Sequence, residues 1–229
     1  VGCRAKNSKQ APLNEEQKIN ASGFSALNAE VRYLNPVLHV TFPRDTNGVK
    51  WANRFTSVNK KREGVLTTTK IHPDSPVDPK KKANEEYTSE IDWTKVLFAA
   101  GPLLIPSVTV SKANLSREQI IAEKTRLRSL FASLANAETP AVAAEEGEMY
   151  SITFTQESAV YEGAYCWADD RIYGVHSALV QQLRDRGENG VTTIVVPSFV
   201  KPENIHVYSL AITADGKITS NSVHMTLGA

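Results

Sequence analysis

Cysteine is almost absent from this chain. Its 229 residues contain Cys3 and Cys166 and no other, which excludes a disulfide framework or a cysteine-rich zinc fold and leaves one long-range disulfide or two free thiols. No run of eighteen or more apolar residues occurs, so no segment reads as a membrane-spanning helix. The chain starts at Val1 with no initiator Met and no charged segment followed by an apolar stretch, the pattern of a processed or shortened chain whose signal, if it had one, has been removed. Catalytic signatures are missing as well. There is no Gly-x-Ser-x-Gly elbow, no Gly-x-x-x-x-Gly-Lys-Ser/Thr loop, no Gly-x-Gly-x-x-Gly and no His-Glu-x-x-His. The five histidines (His39, His72, His176, His206 and His224) stand singly, without the close spacing of metal ligands. His206 and His224 could meet across a hairpin, where a plain cross-strand pair is the simplest outcome. No cofactor is called for.

The rest is ordinary globular material, 41% hydrophobic and 22% charged. The 26 basic and 25 acidic side chains nearly cancel, yet they are unevenly placed. From Val1 to Lys82 there are 15 Lys and Arg against 7 Asp and Glu, a balance of +8; the remaining 11 against 18 give −7. Such a split fits copies stacking head to tail, a basic half that meets nucleic acid or a membrane surface, or two solvated surfaces of different composition.

Residues 1–11 form a basic arm carrying Arg4, Lys6 and Lys9. Pro12, Glu15 and Glu16 then suit a helix start, and Ile19, Phe24, Leu27, Val31 and Leu34 make an apolar stripe. Gly23 weakens this helix by roughly 1 kcal/mol relative to Ala, and Pro36 is expected to end it. Val37–Phe42 then reads as a short strand, followed by a helix over 50–59 with Trp51, Phe55 and Val58 on one face. Strands are expected over Gly64–Ile71, Ile91–Ala99 and Ser107–Ser111. Between the first two of these lies a proline-interrupted loop bearing Lys80-Lys81-Lys82.

Ser116 and Gln119 form a capping-box pattern at the start of a helix that runs to about residue 136. After Met149 the pattern is strand-like. Strands are expected over Tyr150–Thr155, Ala159–Trp167 and Val191–Val196, a short helix over Ser177–Arg186, and a final hairpin with 205–213 and 217–227 around Asp215-Gly216. The fold class is thus α+β: an α+β part over 1–113, a helix and linker over 114–148, and a C-terminal antiparallel β-sandwich of immunoglobulin or fibronectin type over 149–229.

Two stretches carry a resemblance. Asn35-Pro36-Val37-Leu38-His39-Val40-Thr41-Phe42 with Trp51–Asn59, and the ending Ile205–Tyr208, Ala214–Lys217 and Ser220–Val223, resemble an uncharacterised family of Bacteroidota and their phages. The resemblance covers about half the chain in separated pieces. The helix after Ser116 departs from the family pattern, as does the lack of a Gly-rich start. It implies a β-rich, non-enzymatic protein and transfers no functional residue.

The resulting expectation is a structural or interaction protein that forms a multi-copy assembly, a homo-oligomer or a multi-protein one. A virion component or surface filament is the form expected, hence a location in a virion or at a cell surface. Alternatives are an adhesive module binding a ligand or glycan on Trp51, Trp93 or Trp167, and a hydrolase using Asp169 or Asp170. Nucleic acid could be met by Arg4, Lys6, Lys9, Lys60-Lys61-Arg62 and Lys80-Lys81-Lys82, although no aromatic residue interleaves with these clusters in sequence.

Overall fold

The computed structural model describes residues 12–42, 51–134, 149–176, 179–196, 200–201 and 204–227. The chain is mixed α+β and divides into two compact units, Val1–Leu97 and Phe98–Ala229. The first holds 16 basic against 11 acidic residues and the second 10 against 14, so the charge split follows the units in weaker form.

In the first unit α1 (Glu15–Thr41) starts at a capping box in which Asn14 Oδ1 accepts from Gln17 N at 2.8 Å and Gln17 Oε1 accepts from Asn14 N at 3.0 Å. The helix does not stop at Pro36, and the strand expected over Val37–Phe42 is its last turn. An interior proline costs about 3 kcal/mol. Past it, however, Val37, Leu38 and Phe42 are fully buried, and each such side chain returns roughly 1.5–3 kcal/mol.

α2 (Trp51–Lys61) packs on α1, with Phe42 and Phe55 edge to face at 6.3 Å between ring centroids. β1 (Leu66–Lys70) pairs antiparallel with β2 (Tyr87–Ile91), and the short α3 (Ala83–Glu86) leads into β2. The strand expected over Ile91–Ala99 is therefore displaced. Asp92 caps a single 3₁₀ turn over Trp93–Lys95, and Val96–Ala99 are buried outside any strand. The hairpin is pinned to α1 by the buried pair Lys18–Glu86, with Glu86 Oε1 also accepting from Asp78 N at 2.7 Å. The Lys18 ammonium and the Asp78 amide hold the Glu86 carboxyl below its usual range. Buried Asn59 closes the unit: its side chain bonds Leu97 N at 2.7 Å, Leu97 O at 2.8 Å and Phe55 O at 3.0 Å.

The second unit contains β3 (Val108–Asn114), α4 (Arg117–Leu134), β4 (Tyr150–Gln156), β5 (Arg171–His176), β6 (Leu179–Asp185), β7 (Gly190–Val196), β8 (Val207–Ile212) and β9 (Val223–Met225). The expected capping box at α4 is present, with Gln119 N to Ser116 Oγ at 3.3 Å and Ser116 N to Gln119 Oε1 at 2.9 Å. β3, grouped by the sequence with the first part of the chain, pairs with β4 along its full length.

Two antiparallel sheets have the orders β3-β4-β7 and β6-β5-β8-β9. Tyr150, Ile152, Phe154 and Val196 of one share a core with Ile172, Leu183, Val207 and Ala211 of the other. At Gly174 the approach is so close that a Cβ would lie 2.7 Å from the Phe154 ring. The expected helix over Ser177–Arg186 is instead the edge strand β6. Its Gln181-Gln182-Leu183-Arg184 run is a good helix former, but it pairs with β5 through a bulge near Arg171–Tyr173 and buries Leu183. The last hairpin turns at Asp215-Gly216, with Gly216 at φ +74°. Hydrogen bonds from Thr213 and Lys217 lower the Asp215 carboxyl to about 2.

Candidate functional site

The site is built on the segment between β4 and β5. The sequence reads as a strand over Ala159–Trp167, but among the described residues no strand partners it, and it folds as a loop. Its centre is Arg186, just past the end of β6. Arg186 and Asp170 are each 1% exposed. The guanidinium donates from Nε to Asp170 Oδ2 at 3.0 Å and from Nη2 to Leu104 O at 2.6 Å. A longer contact at 3.5 Å runs from Nη1 to Ala159 O. Asp170 Oδ2 also accepts from Trp167 N at 3.0 Å, and the Arg186 and Asp170 main chains meet through N–H to O at 2.7 Å. One buried cation thus holds both ends of the loop and the segment at Leu104 in a single geometry. Such charge-assisted, multidentate contacts are the strong and directional kind.

Above this staple the loop displays apolar surface. Tyr165 is 65% exposed and Trp167 46%, with their rings edge to face at 6.4 Å. Val160 and Tyr161 are exposed beside them in sequence, and Leu104, also exposed, is joined to the loop by its N–H to Tyr165 O at 2.9 Å. The Cys166 thiol points inward, free and buried, with Tyr161 N at 3.3 Å. Tyr and Trp present large contact areas at low entropic cost, and a rigid loop lowers the ordering cost further.

Of the three tryptophans, Trp167 alone belongs to this patch. Trp51 is half-buried, tilted at 37° against His39 with centroids 3.5 Å apart and donating to Asn35 Oδ1 at 2.7 Å, and Trp93 is half-buried in its 3₁₀ turn. The exposure of Tyr161 and Tyr165 is not legible in the sequence, because the segment reads as a strand. Three aromatic residues within seven positions was the available signal.

Asp169 and Asp170 do not act as a carboxylate pair: Asp169 is exposed, whereas Asp170 is buried against Arg186. That arrangement ties Asp170 into the frame of the loop and leaves Asp169 as the exposed one of the two carboxylates named in the hydrolase alternative. Lys80, Lys81 and Lys82 are all exposed on the loop before α3, and Lys60, Lys61 and Arg62 on the end of α2. Arg4, Lys6, Lys9 and Cys3 lie outside the described residues. His206 and His224 do come together, ring nitrogens 3.2 Å apart. Among the described residues no group of three or more His, Cys, Asp or Glu gathers, and no helix is long and apolar enough to cross a membrane.

The chain matches no protein-family model, no curated protein and no solved structure at a significant level of similarity.

Proposed function

We propose that this chain is a non-enzymatic interaction protein that builds a multi-copy assembly, with the aromatic loop of its second unit docking on another copy. The second unit is, in this reading, an immunoglobulin- or fibronectin-like sandwich. Numbered from β3, its strands group as first-second-fifth and fourth-third-sixth-seventh. The antibody constant arrangement differs only in placing the fourth strand beside the fifth. Loops at the ends of such sandwiches are the usual binding surfaces.

The observation that carries the proposal is the exposed Tyr165–Trp167 surface seated on the fully buried Arg186–Asp170 pair. Buried charge under an exposed apolar loop is costly for stability alone, and contiguous exposed apolar surface marks interaction sites. The opposite charge balances of the two units favour head-to-tail contact between copies. A place in a virion or surface filament, and kinship with the Bacteroidota and phage family, belong to the same proposal.

Light scattering at low and high salt tests it. Assemblies are expected at low salt, reduced by Trp167→Ser with Tyr165→Ser. A strict monomer at high concentration under both conditions refutes the proposal. A second reading, a glycan-binding adhesive module, rests on the same exposed Trp167 ring. A saccharide that quenches Trp167 fluorescence without changing the mass would favour it.

A further inference from the structure

The first unit carries a separate concave site. A cleft of about 690 Å³ opens between α1 and α2, within the range of about 300–1,000 Å³ typical of small-molecule sites. From α1 it is lined by Asn20 and Phe24, one turn apart, and from α2 by Asn53, Ser57, Lys60 and Lys61. A smaller pocket of about 230 Å³ shares Asn20 and Lys60 and extends the cleft towards Leu66 and Thr68 on β1.

Phe24 belongs by sequence to the apolar stripe of α1, yet it is 46% exposed while Leu27 beside it is fully buried. Its ring faces the cleft, with the Lys60 ammonium 5.8 Å from the ring centroid. Among the described residues, neither Lys60 nor Lys61 forms an ion pair and no acidic side chain lines either cavity. Helix packing thus supplies what the sequence order withheld, an aromatic face beside the basic cluster at the end of α2.

We propose that this cleft binds a nucleotide. The base stacks on Phe24, the phosphate meets Lys60 and Lys61, and the Asn20, Asn53 and Ser57 side chains bond the base and sugar edges. Each element answers one part of the ligand. Every base has a π-face that an exposed aromatic ring can take up. Two adjacent ammonium groups attract an anion, and phosphate is neutralised by clustered positive charge without special geometry. Amides and a hydroxyl both donate and accept. The nucleotide could be free or part of a single strand, since both present the same base and phosphate.

Calorimetric titration of the full chain with adenosine monophosphate, with a fifteen-residue oligothymidylate and with inorganic phosphate tests the assignment. Binding of either nucleotide ligand is expected, weakened roughly tenfold by Phe24→Ala and retained in Phe24→Tyr, with a salt dependence that flattens in Lys60→Gln/Lys61→Gln. Saturation by the mononucleotide identifies a free nucleotide as the source, and binding of the oligonucleotide alone identifies a strand. All three side chains are exposed, so the variants should keep the native circular dichroism, which is measured alongside. The proposal is overturned if neither nucleotide ligand binds at millimolar concentration, if inorganic phosphate binds as tightly as both, or if Phe24→Ala leaves a folded protein with unchanged affinity.

Discussion

Replacing Arg186 by Met probes the loop staple directly. The substitution preserves most of the side-chain volume but removes the cation, leaving Asp170 as a carboxylate that is 1% exposed. Breaking a buried pair by removing one partner costs about 3–5 kcal/mol, because the remaining charge is uncompensated. The Leu104 carbonyl, which now accepts from Nη2 at 2.6 Å, loses its guanidinium donor, a further penalty of about 1–3 kcal/mol if water cannot reach it. Against a domain stability of about 5–15 kcal/mol, the single variant should lose about a fifth or more of the total.

Asp170→Asn combined with Arg186→Met removes both charges, so the double variant should recover much of the loss and show a coupling energy above about 2 kcal/mol. Urea titration reports this locally through modification of the buried Cys166 thiol in a Cys3→Ser background. Two results would refute the reasoning. One is Arg186→Met within about 0.5 kcal/mol of the parent, the scatter expected of an ordinary surface change. The other is strict additivity in the cycle.

Gly174→Val should destabilise the second unit by about 1–3 kcal/mol through overpacking, since even a Cβ lies 2.7 Å from the Phe154 ring. Adding Phe154→Leu should relieve part of that loss, read as the shift in urea midpoint. Asn59→Ala should cost the first unit about 2–4 kcal/mol, because it orphans the buried Leu97 N–H and C=O together; circular dichroism of thermal unfolding measures it. His176 has its pKa lowered from 6.5 by burial, so the folded state resists a proton that the unfolded chain accepts. Its contribution is complete above about pH 6.5 and declines as pH falls from there through the folded value, and His176→Gln should flatten denaturation midpoints measured across that window. Glu86 titrates in the opposite setting, a carboxyl lowered from 4.5 chiefly by Lys18. Its share of stability is present above the unfolded value and lost as pH falls through the folded one, and Glu86→Gln should remove that acid-range slope in the first unit.

Local patterns carried the elements whose partners lie close in sequence. Ser116 with Gln119, the alternating Tyr150–Thr155 run (a strand that extends to Gln156) and the Asp215-Gly216 turn all stand where sequence reasoning places them, because capping, alternation and turn chemistry act over a few residues. The expectation that His206 and His224 face each other followed from the same hairpin. Trp167 is one of three tryptophans that the sequence offers as contact residues, and its exposure on a loop is not legible there.

Tertiary structure alone decided what depends on distant partners. α1 runs through Pro36 because Val37, Leu38 and Phe42 find a core to enter, and Lys18 is buried because Glu86, 68 residues away, compensates its charge. Residues 179–185 are a strand because β5 offers an edge, overriding helical propensity. The two candidate surfaces arise in the same way. Tyr165 and Trp167 are held outward by Arg186 from beyond β6, and Phe24 meets Lys60 only because two helices cross. Propensity is worth tenths of a kcal/mol per residue, whereas burial and charge pairing are worth several, so wherever the two conflict the long-range contacts set the outcome.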